Sequence, residues 1–250
     1  MGAERESVMN GTTLATAATA LDLRNDAHVH TGFAAGRDSV GVVVSAADLA
    51  GLASVTFADQ VSPETTWLPA YADTIRRARR RTELSLRIGA EVEVVQPDGW
   101  LAWPADLGHL EMVSVAVSRL PLAGGPVAPG DVRSMLSAGR LTPDQVAEAA
   151  VNATIKGIER ASRYAPVQLA RPLSLLAQVG IDDAILTREV LEALAAACRF
   201  TGTAVEISEA WRSPSPRLVA TLREADVVLV AASDARYAGE VGRWQYLRRV

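Results

Sequence analysis

The stretch Leu23-Arg24-Asn25-Asp26-Ala27-His28-Val29-His30-Thr31 sets the reading of this 250-residue chain. It is a short β-type run that ends on polar residues, two of them His at positions i and i+2. Residues two apart on a strand point to the same face, so both imidazoles can converge on one point. Which other side chains reach that point depends on how the following segments alternate.

Downstream, β-type runs alternate with helical stretches. The spacing predicts strands over 54–58, 84–95, 112–117, 166–169, 203–207 and 227–231. It predicts helices over 45–51, 68–81, 142–164, 187–200 and 215–225. Ser45 reads as an N-cap and Gly51 as a stop for the first helix. Thr142-Pro143 reads as N-cap and N1 of the third. Pro97-Asp98-Gly99 signals a turn that returns 100–103 as a hairpin partner. Residues 119–142 carry Pro121, Gly124-Gly125-Pro126 and Pro129-Gly130, and are expected to form a loop or insertion. Such alternation over one uninterrupted chain implies parallel strands with crossover helices. The expectation is one barrel-like α/β domain over 23–250, preceded by an extension at 1–22.

Composition narrows the function classes. Apolar residues make up 49% and charged residues 22%, a globular balance. The net charge of −4 gives no global attraction to nucleic acid or an anionic membrane. A single Cys, Cys198, excludes an internal disulfide framework and a multi-Cys zinc knuckle. The first ten residues lack a basic n-region, and the apolar run 14–21 is short of the roughly 20 residues a membrane span needs. The expected setting is therefore cytoplasmic, with a small-molecule partner and neither nucleic acid nor membrane; oligomeric state is left open.

In folds of this kind chemistry collects where strands end. The successive ends carry Asp59-Gln60, Glu91 with Glu93, Ser114-Val115-Ala116, Arg171, Glu206, and Asp234 with Arg236. Two imidazoles with one or two carboxylates suit zinc, manganese or iron. His28, His30, Glu91 and Asp234 are thus the candidate metal ligands. The competing reading of His28 and His30 is a pair of polar strand-end residues near solvent. His109, away from any strand end, reads as an ordinary surface histidine. Cys198 reads as a core thiol.

These elements together resemble the PHP (polymerase and histidinol phosphatase) superfamily. The resemblance is carried by Asp26-Ala27-His28-Val29-His30-Thr31, Gly51-Leu52, 55–60, Gly89-Ala90-Glu91-Val92-Glu93, and Ser233-Asp234-Ala235-Arg236 with Gly242. It spans 23–244. It implies a distorted TIM-like (β/α)7 barrel with metal ions at its C-terminal rim and phosphoester hydrolysis as the usual activity. It also implies that His28, His30, Glu91 and Asp234 surround one metal ion. The sequence departs from the family where other imidazoles are usual: at Gln60, Ala116, Arg171 and Arg236. Nor has a further family His any counterpart between Thr31 and Val44. The ligands of two of the usual three metal positions are largely gone.

The expected function is a metal-dependent hydrolase of the PHP type, using one divalent ion on a small anionic substrate. Asp59 is expected to orient or deprotonate water. Arg171 and Arg236 are expected to hold the anion, since a guanidinium fork offers donors and no metal-binding lone pair. For each Arg the competing reading is a surface ion pair, for example with Asp59, Glu206 or Asp234. The alternative functions are a catalytically degenerate binding module, a lyase or isomerase, and a non-haem iron enzyme.

Overall fold

The computed structural model describes residues 21–249, so the expected extension at 1–22 lies almost wholly outside the described residues. The chain forms β1 (Asn25–Val29), β2 (Ser54–Val61), β3 (Ser85–Glu93), β4 (Met112–Ala116), β5 (Leu120–Leu122), β6 (Gly125–Val127), β7 (Val167–Leu169), β8 (Ala204–Ser208) and β9 (Leu229–Ala232). Seven of these make one parallel sheet in the order β1-β2-β3-β4-β7-β8-β9. The two ends of that sheet meet. Asp234 N–H donates to the His28 carbonyl at 3.0 Å, and His30 N–H donates to the Ala235 carbonyl at 2.9 Å. The result is the α/β, distorted TIM-like (β/α)7 barrel.

Helices α1 (Val40–Leu49), α2 (Leu68–Arg79), α3 (Pro129–Ser137), α4 (Pro143–Ala161), α5 (Ser174–Gln178), α6 (Arg188–Thr201) and α7 (Pro216–Glu224) accompany the strands. One apolar cluster joins Phe57, Ile88, Val113, Leu169 and Ile207 of the sheet to Val43, Ile75, Val151, Leu194 and Leu222 of the helices. Burying such side chains contributes roughly 1.5–3 kcal/mol each and fixes which strand face meets the helices. Local signals set the helix starts. Thr142 accepts the Gln145 N–H while Gln145 reaches back to the Thr142 N–H, a complete capping box.

Two expectations need correction. The first helix starts at Val40, capped by Ser39, and not at Ser45. Its first turns, Val40-Gly41-Val42-Val43-Val44, have poor helix propensity, and burial of Val40, Val43 and Ala47 overrides it. Residues 119–142 are not irregular: they hold the β5–β6 hairpin and then α3, with Pro129 in its first turn. Ala123-Gly124 make the hairpin turn and Gly125 opens β6, so the breakers mark short elements close together.

One irregularity positions the site. Between Asp26 and Val29 the pairing of β1 with β2 slips, Asp26 opposing Val55 and Val29 opposing Phe57. Three residue steps on β1 thus match two on β2, a one-residue bulge. Bulges re-aim side chains at barrel rims, and this one lies across Ala27 and His28.

Candidate metal centre

The carboxyl ends of the strands gather a buried polar cluster. His28, His30 and Glu91 bring one ligand atom each to within 4.8 Å of one another, and all three are buried. The two imidazole centroids lie 4.9 Å apart. His30 Nε2 is 3.1 Å from Asp234 Oδ1. His28 Nε2 stands 3.2 Å from Glu91 Oε2 without hydrogen-bonding geometry, and is a buried nitrogen with no hydrogen-bond partner.

The other side of His28 explains that orphan. Its Nδ1 is 2.7 Å from Glu206 Oε1. The same carboxylate oxygen takes the Ser114 hydroxyl at 3.3 Å and the Gln168 amide, which also donates to the Ala27 carbonyl at 2.8 Å. A carboxylate on one ring nitrogen fixes the tautomer and turns the lone pair of the other outward, an arrangement recurrent behind metal-ligating histidines. A divalent cation therefore fits the donor set of His28, His30 and Glu91; Asp234, hydrogen-bonded to His30, is not part of that group of three. Glu206 was legible in sequence only as a charged strand end. The sharper signal is a carboxylate set inside the otherwise apolar run Ala204-Val205-Glu206-Ile207, which a plain strand would not carry.

Arg171 completes the cluster. Its guanidinium forks onto both oxygens of Glu91, reaches Asp234 Oδ2 at 3.2 Å and donates to Ser118 Oγ at 2.9 Å. Only 2% of the side chain is exposed, and Trp211 lies beneath it, 5.4 Å from Cζ to the ring centroid. Arg171 is thus ion-paired with Asp234 and Glu91, but buried and not at the surface. Gln60 donates its amide to Glu91 Oε1 at 2.9 Å.

Electrostatics follow from these contacts. Burial opposes ionisation of Glu91, but the Arg171 charge and hydrogen bonds hold its pKa well below the carboxylate norm. Burial likewise opposes the Asp234 carboxylate, yet its hydrogen bond to His30 and the neighbouring His28 and Arg171 depress its pKa. Burial alone would lower the His28 pKa; Glu206 overcomes this and raises it well above 6.5. Asp26, deeper under the site, is pushed up to about 6 by burial, against hydrogen bonds from Ser233, Gly242 and His28.

The remaining sequence candidates make none of these contacts. Asp59 accepts from Thr31 twice, N–H at 2.8 Å and hydroxyl at 2.6 Å, and so anchors the loop after β1. Burial raises its pKa. Arg236 is exposed; its N–H donates to Glu240 at 2.9 Å and its carbonyl accepts from Arg37. His109 is partly exposed beside Asp106, and Cys198 is buried. A cavity of about 480 Å³ opens over Glu91, walled by Phe33 and Trp67 on one side and by Glu93, Ser118 and Arg119 on another. Phe33, Trp67 and Tyr71 pack as a triad with centroids 5.4–5.6 Å apart. The Arg119 guanidinium makes no ion pair among the described residues.

No family profile and no curated protein matches this sequence. Solved structures do. A histidinol phosphate phosphatase of Lactococcus lactis subsp. lactis, complexed with zinc, L-histidinol and phosphate, aligns with a TM-score of 0.63 at 16% identity, over 89% of this chain and 88% of its own. A candidate histidinol phosphatase of Listeria monocytogenes aligns with a TM-score of 0.69 at 15% identity, over 88% and 97%. The fold is thus that of these two histidinol phosphatase structures.

Proposed function

We propose that this chain is a metal-dependent hydrolase that holds one divalent ion on His28, His30, Glu91 and Asp234 and cleaves a small anionic ester. The observation that carries it is the convergence of His28, His30 and Glu91 on one point, with the buried Nε2 of His28 backed by Glu206 and set against Glu91 at 3.2 Å. Three buried carboxylates, Glu91, Asp234 and Glu206, face one guanidinium in this cluster. That leaves two uncompensated negative charges, which one divalent ion neutralises when both imidazoles are neutral. A divalent cation there supplies Lewis acidity and acidifies water. Zinc, manganese and iron all suit such a nitrogen and oxygen set.

The chain's own residues do the rest. Glu206 keeps His28 in the tautomer with its Nε2 lone pair free. Asp59, placed by Thr31, orients the attacking water or takes its proton. The cavity over Glu91 admits the substrate, and the exposed Arg119 in its wall meets the negative charge, with Arg236 exposed outside that lining. Phosphoester cleavage is favoured because the Lactococcus protein, alike in fold, was solved with phosphate. The second reading is a binding module without catalysis, favoured by the ion pairs that Arg171 makes with two of the four ligands.

Metal analysis of chain purified without chelator tests the proposal. One equivalent of zinc, manganese or iron is expected, lost on His28→Ala and kept on His109→Ala. A chain that neither carries nor takes up metal sinks it. Turnover of a phosphate-monoester panel by the loaded chain, abolished by His28→Ala, separates hydrolase from binding module.

A further inference from the structure

We propose that Arg171 is a built-in cation standing where a second metal ion would otherwise sit against Glu91, so that the centre is limited to one ion. This rests on the metal-centre reading above. The first support is the reversal of polarity at two positions. The family that the sequence resembles usually carries imidazoles at 60 and 171, which offer lone pairs to a cation. Gln60 and Arg171 instead present N–H groups, and both aim them at Glu91. A guanidinium has five donors and no acceptor, so it replaces the cation and not its ligand.

The second support is how firmly this arrangement is built. Arg171 spends its terminal nitrogens on Glu91, Asp234 and Ser118, and Trp211 packs against its plane. Arg171 has φ 35° and its partner Asp234 φ 54°, in the left-handed region that L-residues avoid. Two partners both held there indicate that the surrounding structure fixes the pair against local preference. Ala116, at another position where the family usually has an imidazole, offers no ligand at all. With its terminal donors occupied, Arg171 cannot also clamp a substrate anion without releasing Glu91, which leaves that task to the exposed Arg119.

The test is a metal count with thermal unfolding. Wild type, loaded with zinc and freed of excess by gel filtration, is expected to carry one equivalent. Gln60→His/Ala116→His/Arg171→His restores three imidazoles and is expected to carry two. Should that variant not fold, Arg171→Gln decides. Its metal-free unfolding midpoint is expected to fall by roughly 6–20 °C, the effect of breaking a buried ion pair in a domain of this size. Saturating zinc is then expected to raise the midpoint more than in wild type, because Glu91 and Asp234 have lost their counter-cation. A folded triple variant that takes only one, or a zinc-induced rise in Arg171→Gln no larger than wild type's, overturns the assignment while leaving the metal reading intact; two equivalents on wild type overturn both the assignment and the one-ion count. No zinc on wild type removes the metal reading, and this one with it.

Discussion

Glu206→Gln is the sharpest perturbation of this centre, because the geometry lets it remove a charge and little else. Glu206 is fully buried, and all three of its donors, from His28, Ser114 and Gln168, converge on Oε1. Oε2 has no hydrogen-bond partner. A glutamine can therefore leave its carbonyl where Oε1 stands and put its NH2 where nothing was accepting or donating. The imidazole keeps its hydrogen bond and loses the negative charge behind it. Outer carboxylates of this kind change metal affinity by about 10–100-fold, or about 1.4–2.7 kcal/mol. Competition with a chromophoric chelator, run over a pH series, reads that loss directly on the plateau where His28 is deprotonated. The metal-free chain gives a second readout. In wild type the folded pKa of His28 lies above its unfolded value, raised by Glu206 against the effect of burial. The pair therefore adds stability that is fully present below pH 6.5 and is lost as pH rises through the folded pKa. In Glu206→Gln that slope should flatten. Zinc affinity within about 2-fold of wild type across the series would refute the role given to Glu206.

Two further outcomes follow from the same geometry. Arg119→Ala and Trp67→Ala should raise KM for an aromatic phosphate monoester several-fold with little change in kcat or zinc content; a fall in kcat alone would place these residues elsewhere than the cavity wall. Gly99→Ala should destabilise the chain by roughly 2–5 kcal/mol in a urea titration, combining left-handed strain with overpacking. Gly99 has φ +81° and a Cβ there would collide with the α4 backbone at Lys156 and Gly157 and with the Lys156 Cβ, so a loss under about 0.5 kcal/mol would contradict that packing.

Much of the fold was legible because it rests on local periodicity. Strand and helix runs alternated along the chain, and Thr142-Pro143 announced α4 through a capping interaction contained within four residues. What misled were segments whose conformation burial decides. The valine-rich start of α1 reads against helix, and its buried face against the barrel overrules that preference. The glycines and prolines of 119–142 read as a loop, though they punctuate a hairpin of three-residue strands and a nine-residue helix.

The candidate site divides along the same line. The sequence by itself determined that His28 and His30 share a strand end, that carboxylates recur at the ends of other strands, and that imidazoles are too few for a His-rich centre. These follow from a period of two and from counting. Only the tertiary structure decided what each group touches. It put Glu206 on the far nitrogen of His28, across 178 positions of sequence, and turned Arg171 onto Glu91 and Asp234. Barrel closure brings those residues together, and a buried charge takes whichever partner the closed barrel sets beside it.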